Sequence, residues 1–162
     1  SKSDYINIST MDGEPLNLPL QSNFQGSFLD LSHQPLDPGY VKILAWWLTT
    51  PFSASIATIN ISQSKIGVEG GQAIVEALKT ATLESIVIGN DLTLQLKGEL
   101  ESDSFDASGQ SIDPGYAMIM AWWLATPVTT SVVEIDLSGQ PLTGATRKYS
   151  YSPWENIDYS CR

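Results

Sequence analysis

Cysteine and histidine are almost absent from this 162-residue chain, which contains one of each. A single cysteine cannot form a disulfide within the chain, and a single histidine has no partners for a zinc site or a catalytic triad. No apolar run approaches the roughly 18 residues that a membrane span requires. We therefore expect no internal disulfide, no metal site of this kind and no membrane span, while the cellular compartment stays open.

Positive charge is also scarce. Eight basic residues face 18 acidic ones, which gives a net charge of −10. A surface this acidic repels nucleic acid and anionic lipid. We therefore expect no nucleic-acid partner, and a protein with a basic surface is the partner that the charge favours.

Motifs of catalysis are missing as well. The chain contains no phosphate loop, dinucleotide fingerprint or paired-acid motif. Several serines follow the strand patterns, but no base is placed to activate any of them. The sequence therefore predicts a protein that is not an enzyme and that uses no cofactor.

The sequence does contain an internal repeat. The stretch "DPGYVKILAWWLTTP" at 37–51 returns as "DPGYAMIMAWWLATP" at 113–127, 76 positions later. At that offset, 17 of the 38 residues in 29–66 are identical to those in 105–142. This identity is too high for chance, so we interpret the chain as a single domain, 1–162, that contains a duplicated unit.

Each copy of the duplicated unit has the pattern strand, helix, strand. Asp37 and Asp113 are natural N-caps, and each is followed by a proline that suits the first helical position. The apolar spacing predicts a third helix over 67–81. A local hairpin is expected over 91–100. Seven strand cores recur at intervals of 19 to 30 residues, beginning at 6, 29, 59, 86, 105, 135 and 157.

Two segments carry a family resemblance. "IATINISQSKIGVEGGQAIVEAL" at 56–78 and "VVEIDLSGQPL" at 132–142 resemble leucine-rich repeats of the ribonuclease-inhibitor and NOD-like-receptor type, LxxLxLxxNxL followed by a Gly/Ala-rich helix. Ser64 and Gln140 stand where that pattern has Asn. The apolar slots hold Ile56, Ile59, Ile61, Ile66, Val132, Ile135, Leu137 and Leu142.

The resemblance implies an α/β leucine-rich-repeat solenoid. About seven short strands would form one parallel sheet on the concave face, and three helices would lie on the convex side. Another solenoid of helices and strands is the alternative fold. Because a solenoid exposes its core at both ends, we expect a partner or further repeats to cover the terminal repeats.

Two surfaces of this predicted solenoid are candidates for partner binding. Side chains alternate along a strand, so a polar column would face the concave side, where either a basic partner or solvent would meet it: Asp30, Asn60, Asp106, Asp136 and Asp158. On the convex side, Trp46 and Trp122 align with the polar Glu76, and Met118 aligns with Gln72. An outward tryptophan is typical of an interface, although inheritance from one duplication also explains the pair.

The function that the resemblance favours is a non-catalytic protein–protein interaction module or scaffold. The alternative is a structural accessory subunit that is permanently bound in a larger multiprotein assembly.

Overall fold

The computed structural model describes residues 4–8, 16–32 and 34–140. Its helices are α1 (Pro38–Leu48), α2 (Gly67–Leu78) and α3 (Pro114–Leu124). The predicted α/β class and the three predicted helices are confirmed. The strands in chain order are β1 (Tyr5–Ile8), β2 (Leu16–Pro19), β3 (Phe28–Asp30), β4 (Thr58–Asn60), β5 (Ser85–Ile88), β6 (Leu92–Gln95), β7 (Ser104–Asp106) and β8 (Glu134–Asp136).

Helices α1 and α3 begin at the predicted caps. The Asp37 carboxylate accepts a hydrogen bond from the Tyr40 N–H at 2.9 Å, and Asp113 accepts one from the Tyr116 N–H at 2.8 Å. A proline follows each cap, where its missing N–H costs nothing. A short 3-10 turn follows each helix, at Pro51–Ser53 and Pro127–Thr129.

The strands form three small sheets. β1 and β2 form an antiparallel pair, β3–β4–β5–β6 form a mixed sheet, and β7 and β8 form a parallel pair. Within the mixed sheet, β3, β4 and β5 are parallel, but β6 is antiparallel to β5. The prediction of one parallel sheet of about seven strands, and with it the leucine-rich-repeat solenoid, is therefore wrong.

A tight hairpin explains why the parallel sheet stops at β5. Gly89 adopts a φ of +62°, which favours glycine, and the chain turns back so that Val87 pairs with Thr93. β6 thus occupies the edge of β5 that a further parallel strand would need, and β7 pairs with β8 instead. The sequence predicted this hairpin but missed β2, and the strand expected at 157 lies outside the described residues.

The hairpin belongs to the duplicated unit. The indole N–H of Trp47 donates to the carbonyl oxygen of Pro19, the last residue of β2, at 2.8 Å. The indole N–H of Trp123 donates in the same way to Gln95, the last residue of β6, at 2.6 Å. Both donors and both acceptors lie 76 residues apart. The unit that recurs is therefore hairpin, strand, helix, 3-10 turn and strand.

One cluster of buried apolar residues joins the two copies, and α2 packs against both α1 and α3. Its largest fully buried side chains include Trp47, Trp123 and Tyr116. Truncation of a buried tryptophan to alanine costs about 3–5 kcal/mol in comparable cores. The second tryptophan of each Trp–Trp pair therefore anchors its helix to the core.

Candidate functional site

One stripe of α1 and its duplicate on α3 carry the same residue types. Helical geometry aligns positions i, i+4 and i+7 on one side of a helix. We define the leading face of α1 as Gly39, Ile43 and Trp46, and the leading face of α3 as Gly115, Ile119 and Trp122. The two faces are identical in sequence, so any difference between them comes from their surroundings.

The leading face of α3 lies against α2. A Cβ atom on Gly115 would lie 2.2 Å from the carbonyl oxygen of Gly67, so the two backbones approach closely at this point. Ile119 is fully buried, and Trp122 is half-buried against the core. Met118, which the sequence places on the outer side, is also half-buried. Neither Trp122 nor Met118 is thus fully available to a partner.

The leading face of α1 is open to solvent. Trp46 is 56% exposed and Ile43 is 42% exposed, and Gly39 is exposed as well. Among the described residues, α2 packs against a different side of α1, where a Cβ atom on Gly70 would lie 3.2 Å from Val41. Of the two predicted tryptophans, Trp46 is therefore the one that a partner can reach.

The predicted polar column is divided between two sheets. Asp30 and Asn60 lie in the mixed sheet, whereas Asp106 and Asp136 lie in the parallel pair. Asp158 lies outside the described residues. Because the single sheet does not form, the column is not the continuous strip that the sequence suggested. Its role in partner binding stays a prediction.

The four described members of the polar column hold the turns that follow their strands. Each side-chain oxygen accepts the N–H of the serine two residues later, as at Asp106, where the distance to the Ser108 nitrogen is 2.8 Å. Hydrogen bonds from the Ser108 side chain and backbone lower the pKa of Asp106. Asx turns of this kind stabilise local backbone, so these side chains have a structural task.

Tyr116 is a buried polar group that sequence reasoning missed. Its hydroxyl donates to the carbonyl oxygen of Ile61 and accepts the N–H of Ser64 at 3.2 Å. Burial raises the pKa of Tyr116 to about 12, the Ser64 backbone opposes this rise, and the Asp113 carboxylate adds to it. The tyrosine therefore stays neutral and ties α3 to the loop before α2.

Charged side chains of α1 and α2 form two ion pairs. Lys42 pairs with Glu69, whose pKa the contact lowers, and Lys79 pairs with Glu76 at 2.6 Å. The described part of the chain contains no group of three or more His, Cys, Asp or Glu residues that could hold a metal ion. Across the same residues, no helix has the length and apolar character to cross a membrane.

Comparison with protein-family models and with curated proteins finds no match for this chain. The resemblance to leucine-rich repeats therefore stays a prediction from the sequence, and the argument for function depends on the surfaces described above.

Proposed function

We propose that this protein is a non-catalytic protein–protein interaction module and that the leading face of α1 binds the partner. The observation that supports the proposal is the exposure of Trp46 at 56% beside Ile43 at 42%. Large apolar side chains that lie together on a surface favour burial, and tryptophan is enriched among the residues that dominate binding energy.

The setting of Trp46 suits such a role. The next residue, Trp47, is fully buried and hydrogen-bonded to Pro19, so the helix is held firmly against the core. Asp37 caps the same helix at its start. A side chain on a fixed element loses little conformational freedom when a partner covers it, which favours affinity.

A second candidate function is that of an accessory subunit bound permanently in a larger assembly. Apolar side chains are also exposed away from the helices: Phe28 on β3 is 51% exposed, and Val133 beside β8 is 82% exposed. Permanent interfaces are larger and more apolar than transient ones. An assembly that covered several of these surfaces would account for all of them.

The proposal is tested by comparing the native size of wild type, Trp46→Ala and Val133→Ala in an extract of the source, with identification of co-eluting proteins. We expect wild type and Val133→Ala to co-elute with the same protein partner. Trp46→Ala should lose at least about 90% of that partner, because a central tryptophan contributes about 2 kcal/mol or more to binding. Circular dichroism of each variant shows whether it remains folded.

Two results would count against these functions. If Trp46→Ala retains the whole partner, α1 is not the binding surface. If the wild type elutes as a monomer near 17.6 kDa, permanent membership of an assembly is excluded, and the interaction module would have to act transiently.

A further inference from the structure

We infer that the leading face of α1 binds α3 of a second copy of this chain, in a head-to-tail contact. The inference rests on the proposed function, since it requires the leading face of α1 to be a binding surface, and it names the occupant of that surface.

The first support is the interface between α2 and α3. The side of α2 that meets the leading face of α3 begins at Gly71, where a Cβ atom would lie 2.4 Å from the carbonyl oxygen of Gly115. The same stripe continues by helical spacing through Val75 and Leu78. We call Gly71, Val75 and Leu78 the trailing face of α2. Small and aliphatic residues here cover a stripe that contains Ile119 and Trp122.

The second support is that α3 has a stripe of the same kind. Ala117, Ala121 and Leu124 lie 46 residues after the three residues of the α2 trailing face. Ala121 is exposed, while Ala117 and Leu124 are half-buried. Among the described residues, α2 is the helix that packs on α3, and it does so from the other side. We call Ala117, Ala121 and Leu124 the trailing face of α3.

The two open faces complement each other. The leading face of α1 repeats the leading face of α3 residue for residue, and the trailing face of α3 repeats the small and aliphatic character of α2. The trailing face of α3 in one copy can therefore lie on α1 of the next copy as α2 lies on α3. The row α1–α2–α3 then continues across the contact. Such a contact is heterologous, so it extends into chains or closes into rings.

The contact is expected to be weak. Ala117 has a methyl group where α2 has Gly71, so the helices lie further apart than in the internal interface. A single pair of helix faces is also smaller than a standard stable interface, which suggests a dissociation constant on the order of 10–100 µM. Each copy has a net charge of −10. Added salt should therefore strengthen the association by screening repulsion.

The experiment is sedimentation velocity of the full chain from about 5 to about 500 µM, at low and high salt. Trp46→Glu blocks the leading face of α1, and Ala121→Glu blocks the trailing face of α3. Val133→Glu is the control at an exposed site away from both faces. We expect wild type and the control to associate with rising concentration, and each blocked variant to stay monomeric alone.

An equimolar mixture of the two blocked variants gives the decisive result. Each variant keeps one intact face, so the mixture should form one-to-one dimers and nothing larger. A monomeric mixture from folded variants, together with an associating wild type, would overturn the head-to-tail contact. A wild type that stays monomeric throughout would overturn the second copy as occupant. The proposed function would survive that last result if Trp46→Ala still removed a different protein partner from the extract.

Discussion

At the scale of single residues, the duplication places identical side chains in different surroundings. Tyr40 is half-buried, whereas its duplicate Tyr116 is buried and hydrogen-bonded to Ile61. Trp46 is exposed, whereas Trp122 is half-buried. Each second-copy residue has α2 and its preceding loop as a neighbour. The difference in environment therefore comes from the neighbouring segment and not from the residue itself.

Tyr116 provides a prediction about pH. Its folded-state pKa of about 12 exceeds the usual value near 10, so the folded protein keeps the proton while the unfolded chain loses it. The stabilisation is complete below about pH 10 and is lost as the pH rises towards 12, by about 2–3 kcal/mol in total. Urea unfolding of wild type and Tyr116→Phe at about pH 9 and about pH 11.5 measures this loss.

The comparison with Tyr116→Phe removes the effect of other groups that titrate in the same range. At about pH 9 the variant should be less stable by about 1–3 kcal/mol, because the carbonyl oxygen of Ile61 loses its donor. The gap should shrink at high pH, since phenylalanine cannot ionise. A gap of constant size would show that the hydroxyl does not resist ionisation in the folded protein.

At the scale of elements, the starts of the helices differ in what decides them. Asp37 and Asp113 cap helices that begin three residues before their hydrogen-bond partners, so the sequence alone predicts both caps. Helix α2 has no side-chain cap of its own. Its Gly67 N–H donates to the second carboxylate oxygen of Asp113 at 3.0 Å. That partner lies 46 residues away, so no local pattern could have predicted it.

The contact between α2 and α3 predicts opposite effects for two glycine substitutions. Gly115→Ala should destabilise the protein by about 1–3 kcal/mol, because its Cβ atom would lie 2.2 Å from the backbone oxygen of Gly67. Gly39→Ala at the duplicate position should be neutral or stabilising by about 0.5–1 kcal/mol, because alanine favours the helix and the nearest described atom is a side-chain oxygen of Asp37 at 3.2 Å. Thermal and urea unfolding measure both.

Gly39→Ala is the matched control for Gly115→Ala. Both glycines are the second residue of their helix and follow the same Asp–Pro pair. Equal losses of stability would mean that the cost arises within the helix and not from the contact with α2.

At the scale of the whole molecule, the two copies share one core. The buried cluster extends from Ile8 in β1 to Trp123 in α3, and α2 packs on a helix from each copy. β5, the first strand of the second copy, also pairs with β4 of the first. The copies should therefore unfold together and not as separate domains.

We predict a single unfolding transition in urea. Circular dichroism should follow the helices and strands, while tryptophan fluorescence follows Trp47 and Trp123, and the two midpoints should coincide. Two resolved transitions would show that the shared core does not couple the copies.

Features that depend on residues a few positions apart followed from the sequence. The α/β class, the three helices, the two aspartate caps and the duplication itself were all predicted, because caps, turns and apolar periodicity act over short distances. The apolar periodicity also placed Trp47 and Trp123 in the core, where both are fully buried.

Tertiary structure decided the arrangement of the sheets and the accessible surface. Whether a strand receives a parallel neighbour or a hairpin partner depends on which segment occupies its edge first, and β6 occupies the edge of β5. Whether an outward tryptophan is exposed depends on the helix beside it. For that reason identical sequences at Trp46 and Trp122 face different surroundings, and only packing between distant segments distinguishes the two.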